Sequence, residues 1–407
     1  MESRLGKHRI AFVVQRYGDK ITGGAESHCR QIAERMTRYY DVEVLTTTAL
    51  DHLSWKNDLP SGRSEMNGVV VRRFPSETQR DLVEFHKIYD RIFLTQLSPE
   101  EEHAMLRYQG PYCPKLIKHL QSSANEYDAI VFFTYMYYPT CVGLPLVKSK
   151  AALVPTAHDE TSLYLHLLDD LFQQTPFLIF NSPEERHLLQ RRFNLPSNVG
   201  RVVGVGVEES DPGPPDPVWK DLAERLGQRR ILAYLGRVEN GKGCDELVDF
   251  FLRYADHPDR RDVLLLLVGK RSLPIPDHPQ LLSTGHVSEY VKQQVLRRAE
   301  VVIASSPFES LSITALEALL LERPLLVNGR CQVLVGHCLR SNGGLWYRDF
   351  EEFSEALTML LDDAGLRREM GSRGRRYVQE NYRWADVEQA FRELLDGIIA
   401  GNAGSET

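Results

Sequence analysis

Residues 301–329 read VVIASSPFESLSITALEALLLERPLLVNG, the pattern of a short apolar strand, a polar loop, an amphipathic helix and a second apolar strand. Strands that alternate with helices are typical of a parallel α/β sheet. If the helix begins near Ser312, the loop presents Glu309 beside helix N–H groups that lack intrahelical partners. Glu317 follows one to two turns later. The segment therefore predicts an anion site flanked by two carboxylates.

The spacing of the two carboxylates indicates what kind of anion would fit. With helical spacing throughout, Glu309 and Glu317 would stand ~12 Å apart. The acid and base of a glycosidase are only ~5–9.5 Å apart. A nucleotide sugar spans the larger gap, with its diphosphate in the middle and a hydroxylated group at each end.

The rest of the chain repeats the alternation of strands and helices in two halves. The first strand runs from Arg9 to Val14 and leads through a loop with Gly23 and Gly24 into a helical pattern. The segment 201–220 contains four prolines and reads as an interdomain linker. We therefore predict two doubly wound α/β domains. Further apolar runs predict strands at DVEVLTTTA, VVVRRFP, DAIVFFTY, ALVPTAH, FLIFNS, ILAYLG, VLLLLVG, VVIAS and PLLVN.

The last helix, from about Trp384, carries one continuous apolar stripe and needs a partner surface. The stripe consists of Val387, Phe391, Leu394, Leu395 and Ile398. We expect an N-terminal domain of residues 1–207, completed by this helix at about 384–400, and a C-terminal domain of residues 208–383. Ligands of such sheets bind at the carboxyl ends of the strands, so a cleft between the domains is expected.

Composition bounds the class of protein. The 407 residues exceed one hydrophobic core, and 42% hydrophobic with 26% charged residues is ordinary for a globular protein. A net charge of −7 argues against nucleic acid as a partner. No apolar run approaches a spanning helix, so membrane contact would be peripheral, at the inner face. Six scattered cysteines indicate reduced thiols and a cytoplasmic location.

The loop after ILAYLG nearly matches a phosphate loop, because Gly236 is followed by Gly241 and Lys242. Position 243 is glycine, so the hydroxyl that would hold Mg²⁺ is missing. Arg237 and Lys242 remain as two cations on one loop. They could neutralise a diphosphate without a metal ion.

Three motifs in register resemble the retaining glycosyltransferases of family 4, which have the GT-B fold. They are GGAE after the first strand, GR followed by KG in the second half, and E-x7-E before PLLV. The resemblance covers nearly the whole chain. It implies two Rossmann-like domains that face each other across a cleft, with the C-terminal helix packing back on the N-terminal domain.

The resemblance assigns roles to the matched charged residues. Arg237 and Lys242 would bind the donor diphosphate and stabilise the leaving nucleotide. Glu309 would contact the hydroxyls of the donor sugar, and Glu317 those of the ribose. His158, which follows the strand ALVPTA, matches the active-site histidine of the family. The expected catalytic residues are therefore His158, Arg237, Lys242 and Glu309.

The remaining donor contacts come from the backbone. The N–H groups of Ser310, Leu311 and Ser312 would lie near the sugar and phosphate, and the backbone around Val287 near the nucleobase. Gly23 and Gly24 would let the N-terminal loop approach the phosphates and the acceptor. The family commonly has E-G-F-G where this chain has ESLS, which leaves the identity of the donor sugar open.

The expected reaction is hexosyl transfer from a nucleoside-diphosphate sugar to a hydroxyl of a glycan, a lipid-linked acceptor or a small molecule. No Asp-x-Asp occurs in the chain, so we expect no metal and no cofactor. Front-face attack is implied by the resemblance. A nucleotide-sugar epimerase-like enzyme and a catalytically silent nucleotide-sugar-binding subunit remain alternatives. The sequence leaves open the oligomeric state and whether Tyr135, Tyr137 and Tyr138 stack on a sugar or only pack.

Overall fold

A computed structural model describes residues 7–21, 23–209 and 213–403. The chain divides into two compact units. Unit 1 comprises the chain up to Val205 and from Ala385 onward, and unit 2 comprises Gly206–Trp384. Each unit is an α/β structure built on its own sheet.

In its described part, unit 1 forms an eight-stranded sheet with the order β3-β4-β2-β1-β5-β6-β7-β8. β3 runs antiparallel to β4, and the other strand pairs are parallel. The strand order reverses between β1 and β5. The strands are β1 Arg9–Val13, β2 Asp41–Thr47, β3 Gly62–Met66, β4 Val69–Phe74, β5 Ala129–Phe133, β6 Ala151–Val154, β7 Phe177–Phe180 and β8 Arg201–Val202. The helices are α1 Gly24–Met36, α2 Leu82–Tyr89, α3 Pro99–Gln109, α4 Pro114–Ser123, α5 Tyr138–Gly143, α6 Leu167–Gln174 and α7 Pro183–Arg192.

Unit 2 forms, within its described residues, a six-stranded parallel sheet with the order β11-β10-β9-β12-β13-β14. Its strand order reverses between β9 and β12, and β10 is buried along its whole length. The strands are β9 Arg230–Leu235, β10 Val263–Val268, β11 Leu281–Gly285, β12 Val301–Ala304, β13 Leu325–Asn328 and β14 Gly344–Tyr347. The helices are α8 Pro217–Leu226, α9 Cys244–Ala255, α10 Glu289–Arg298, α11 Ile313–Leu320, α12 Gln332–Ser341, α13 Phe350–Asp362 and α14 Ala364–Asn381.

The final helix, α15 (Trp384–Ala403), returns to unit 1 as predicted. Its apolar stripe is buried apart from the half-buried Leu394. Glu388 accepts hydrogen bonds from Arg35 at 3.1 Å and Arg38 at 3.2 Å, and Asp396 accepts one from Tyr40 at 2.7 Å. Apolar burial and polar contacts therefore both fix α15 on unit 1.

Two further properties of the chain follow from the described ranges. No helix there is both long and apolar enough to cross a bilayer. All six cysteines are buried with free thiols.

Candidate functional site

The predicted phosphate-binding loops lie where the strand order of unit 2 reverses. β9 leads into the loop with Arg237 and Lys242, and its neighbour β12 leads into the loop with Glu309. Because β9 and β12 are parallel, both loops leave the carboxyl edge of the sheet. This reversal point is where open α/β sheets bind ligands.

Lys242 and Glu309 form a direct ion pair between these two loops. The Nζ of Lys242 lies 2.7 Å from Oε1 of Glu309, and the side chains are 25% and 22% exposed. Ser305 donates from its hydroxyl to the Lys242 carbonyl at 2.8 Å, and Asn328 donates to the Ser305 carbonyl at 2.9 Å. The loop after β9 is thereby anchored to β12 and β13.

Arg237 is held at the start of the same loop. Its guanidinium lies 3.0 Å from Glu239, and its carbonyl accepts a hydrogen bond from the Tyr234 hydroxyl at 2.7 Å. Burial raises the pKa of Tyr234 well above its ordinary value, so the hydroxyl remains a donor. The backbone of Arg237 is therefore fixed while its side chain stays partly exposed.

Glycine at position 243 has a steric reason. Gly243 has φ +66°, and a Cβ there would lie 2.4 Å from the Ser305 carbonyl oxygen. Any side chain would push the loop away from β12. The Ser or Thr of a phosphate loop therefore does not fit, which explains why that motif is incomplete.

α11 begins at Ile313, close to the predicted start, and Ser312 precedes it with φ +66°. Ser312 makes no side-chain cap, so the first N–H groups of α11 are not satisfied by that hydroxyl. The left-handed conformation at Ser312 is one that glycine favours, as in the family pattern. Helical spacing does not extend back to Glu309, so the spacing estimate for Glu309 and Glu317 does not describe this segment.

Glu317 is paired with Lys292 of α10, a residue that sequence reasoning missed. Lys292 Nζ lies 2.7 Å from Glu317 and 2.9 Å from Glu289. Burial alone would lower the pKa of Lys292, but the two carboxylates outweigh it and raise that pKa. Burial also raises the pKa of Glu317, against the opposing effect of Lys292. Lys292 thus orients the carboxylate that the sequence assigns to ribose.

Val287 is half-buried between β11 and α10. The next residue, Ser288, accepts from the Val291 N–H at 3.3 Å and donates to Asp216 at 2.6 Å. Both contacts fix the backbone at the start of α10. The segment is therefore a rigid backbone edge of unit 2.

In unit 1 the glycine pair follows β1, at the reversal point of that sheet. Gly23 precedes α1, and a Cβ there would lie 2.0 Å from the Glu26 carboxylate. Glu26 is nearly buried and pairs with Arg16 at 2.6 Å, a pair that the sequence did not reveal. Gly24 has open space where a Cβ would point. A side chain at position 23 would therefore displace the Glu26 carboxylate of this ion pair, whereas Gly24 faces open space.

His158 follows β6, the next strand along from β5. Its Nδ1 lies 3.5 Å from Glu160, which accepts a hydrogen bond from the Tyr135 hydroxyl at 2.8 Å. The preceding residue, Ala157, donates its N–H to the buried Glu185 at 2.5 Å. The imidazole therefore lies beside a carboxylate, on a backbone held by Glu185.

The three tyrosines after β5 pack against neighbours. Tyr135 is fully buried, Tyr137 lies edge-on to Trp55 at 5.4 Å, and Tyr138 contacts Tyr112 at 4.9 Å. These contacts favour the packing interpretation, most clearly for Tyr135.

Comparison with known protein families identifies a domain within unit 2. Residues 229–363 match the sequence profile described as glycosyl transferases group 1. Unit 2 contains a group 1 glycosyltransferase domain. The match includes Arg237, Lys242, Glu309 and Glu317, and it confirms the predicted resemblance to group 1 glycosyltransferases.

Other known proteins are similar to nearly the whole chain and not only to unit 2. Alpha-maltose-1-phosphate synthase of Mycolicibacterium smegmatis is 27% identical over 425 residues, covering 96% of this chain and 100% of that protein. Sucrose-phosphate synthase from Thermosynechococcus elongatus has a TM-score of 0.71 at 18% identity, covering 97% and 100%. A structure from Anabaena in complex with UDP-glucose has a TM-score of 0.69 at 15% identity, covering 96% and 99%. The fold is therefore GT-B, as predicted.

Proposed function

We propose that this glycosyltransferase moves a hexosyl group from a nucleoside-diphosphate sugar to an acceptor hydroxyl with retention of configuration. The ion pair of Lys242 and Glu309, set at the reversal point of unit 2, is the observation that carries the proposal. It supports the proposal because a cation suited to phosphate and a carboxylate suited to sugar hydroxyls lie side by side. The UDP-glucose complex of the Anabaena protein supports a donor of this class.

Each side chain has a role in binding the donor. Lys242 has three N–H donors, so it can keep its bond to Glu309 and still bind a phosphate oxygen. Arg237 binds the diphosphate with its planar fork. Glu317, oriented by Lys292, accepts hydrogen bonds from the ribose hydroxyls. The backbone N–H groups of Ser310, Leu311 and Ser312 contact sugar and phosphate, and the backbone around Val287 contacts the base.

The reaction follows from these contacts. The bond between the anomeric carbon and the phosphate oxygen breaks, and a bond to the acceptor oxygen forms on the same face of the sugar. The acceptor proton passes to the departing phosphate oxygen. Arg237 and Lys242 stabilise the charge that develops on the diphosphate, and neither a metal ion nor a cofactor is needed.

In this proposal, unit 1 provides the residues that bind the acceptor. The resemblance assigns His158, which lies beside Glu160, to the reaction and the loop with Gly23 and Gly24 to substrate binding. The acceptor is a glycan, a lipid-linked sugar or a small molecule. The enzyme acts in the cytoplasm, where peripheral contact with the inner membrane face would bring it to a lipid-linked acceptor.

Replacing the central cation tests this function. Lys242→Ala should lower kcat by ~10²-fold or more, because a group that stabilises transition-state charge is lost. Lys220→Ala, an exposed lysine on α8, should leave kcat unchanged. Steady-state kinetics with a nucleotide sugar and an acceptor measure both variants.

Two outcomes would contradict the proposal. A raised donor KM with full kcat in Lys242→Ala would show that the lysine only binds. Complete loss of activity in excess EDTA, restored by Mg²⁺ or Mn²⁺, would refute metal independence.

Incubation with donor alone distinguishes transfer from isomerisation, since an epimerase would release a new sugar isomer.

A further inference from the structure

A chain of hydrogen bonds runs through unit 2 to the loop before α11. His337 of α12 is fully buried, and its Nε2 lies 2.7 Å from the Leu311 carbonyl oxygen. Its Nδ1 lies 3.1 Å from the hydroxyl of Tyr377 on α14. That hydroxyl also accepts from Arg340 at 3.2 Å and lies 3.1 Å from the Tyr382 hydroxyl.

The chemistry of the partners fixes the direction of each hydrogen bond. The Leu311 carbonyl can only accept, so Nε2 of His337 carries a proton. In a neutral imidazole that is protonated at Nε2, Nδ1 is an acceptor. Tyr377 therefore donates its hydroxyl proton to His337, and its oxygen accepts from Arg340. The chain leads from Tyr377 through His337 to Leu311.

Holding the Leu311 carbonyl also sets the next N–H group. In a planar trans peptide the carbonyl of one residue and the N–H of the next point in opposite directions. With the Leu311 carbonyl turned toward His337, the Ser312 N–H points away from it. Ser312 has φ +66°, a conformation that a non-glycine residue holds only when its surroundings impose it.

We infer that His337 and Tyr377 are positioning residues that orient the Leu311–Ser312 peptide for the donor. The inference rests on the proposed function, in which the Ser312 N–H contacts sugar and phosphate. Neither side chain touches the donor. They act by keeping the peptide in the one orientation that directs this N–H group away from α12.

Matched variants test the inference. His337→Phe keeps a ring but loses the donor to Leu311, whereas His337→Gln keeps an N–H near the position of Nε2. Tyr377→Phe removes only the hydroxyl that fixes the imidazole. Tyr254→Phe removes a partly buried hydroxyl of α9 that contacts Thr358, and serves as the control. Calorimetry with UDP, GDP, ADP and dTDP, kinetics, and hydrogen exchange of residues 309–316 are compared.

We expect His337→Phe to weaken binding of the preferred nucleoside diphosphate by ~10-fold, as for one lost hydrogen bond. His337→Gln should recover most of that loss, and Tyr377→Phe should lie between the two. Hydrogen exchange of residues 309–316 should accelerate in His337→Phe but not in Tyr254→Phe.

The outcomes separate the two proposals. Unchanged exchange of residues 309–316 in both His337→Phe and Tyr377→Phe would overturn the positioning role, as would equal losses in His337→Gln and His337→Phe. If wild-type protein binds none of the four nucleotides, the proposed function fails, and the exchange result still decides whether His337 orders the loop. If His337→Phe does not fold, Tyr377→Phe provides the same comparison.

Discussion

At the scale of single residues, Ser312 stores backbone strain at the start of α11. A non-glycine residue in the left-handed region costs ~1–2 kcal/mol, whereas glycine costs only ~0.5–1 kcal/mol through the entropy of the unfolded chain. The family motif has glycine at the position of this serine. The left-handed backbone is therefore a feature of the loop itself, and the serine side chain is strained by it.

Ser312→Gly should therefore leave the free energy of unfolding unchanged or raise it by up to ~1.5 kcal/mol. Ser310→Gly is the matched control, since Ser310 is not among the described residues with positive φ, and it should lose ~0.5–1 kcal/mol. Urea denaturation measures both variants. A loss in Ser312→Gly as large as in the control would show that the serine side chain stabilises the loop.

The charged residues of the candidate site could be singled out from sequence motifs, but their partners could not. Arg237, Lys242, Glu309 and Glu317 stand in motifs on loops after strands. Lys292 is an ordinary residue of an amphipathic helix, 25 positions before the glutamate it binds. Such pairs depend on how separate elements pack, and a single sequence does not record that.

At the scale of elements, β6 and β7 are joined by one buried carboxylate. Glu185 of α7 accepts the N–H groups of Ala157 and Asn181, each at 2.5 Å, just beyond the ends of these strands. Burial raises the pKa of Glu185 to about 8, although the two N–H groups favour the charged form. Because Ala157 precedes His158, this carboxylate also supports the predicted active-site histidine.

The raised pKa has a consequence for stability. Between the ordinary value of 4.5 and about 8, the folded state binds more protons at Glu185 than the unfolded state does. The free energy of unfolding should therefore fall as pH rises through this window. Glu185→Gln should remove this part of the pH dependence, and it should lower stability most at low pH, where wild type does not yet bury a charge and the amide N–H replaces one acceptor.

Thermal unfolding at pH 5.5 and pH 8 measures the effect. Glu102→Gln is a suitable control, since Glu102 is also buried and accepts two backbone N–H groups, from His166 and Leu167. Parallel pH curves for wild type and Glu185→Gln would contradict the prediction.

Sequence patterns predicted the central strands of both sheets and missed the strands at the edges. β10 and β12 are apolar runs because neighbours cover them on both sides. β3 reads GRSEM and is mostly exposed, and β11 reads LLSTG and is only partly buried. An edge strand has one hydrogen-bonded neighbour and little apolar burial, so it leaves no periodic signal.

At the scale of the whole molecule, α15 ties the end of the chain to unit 1. Phe391 is fully buried there and lies edge-on to His28 of α1, with ring centroids 6.4 Å apart. Phe391→Ala should destabilise unit 1 by ~3–5 kcal/mol, the usual cost of such a cavity. Leu394→Ala, a half-buried position on the same helix, should cost less.

Hydrogen exchange in increasing urea distinguishes the two units. Peptides of unit 1 should lose protection earlier in Phe391→Ala, while peptides of unit 2 should keep wild-type protection. Equal loss in both units would mean that the molecule unfolds as a single cooperative body.

The return of α15 to unit 1 also determines the order in which the two units can complete folding during synthesis. Unit 2 is contiguous, so its core can close once residue 384 has emerged. Unit 1 is translated first, yet the apolar surface that receives Phe391 stays uncovered until α15 has left the exit tunnel. Unit 1 is therefore begun before unit 2 but completed after it.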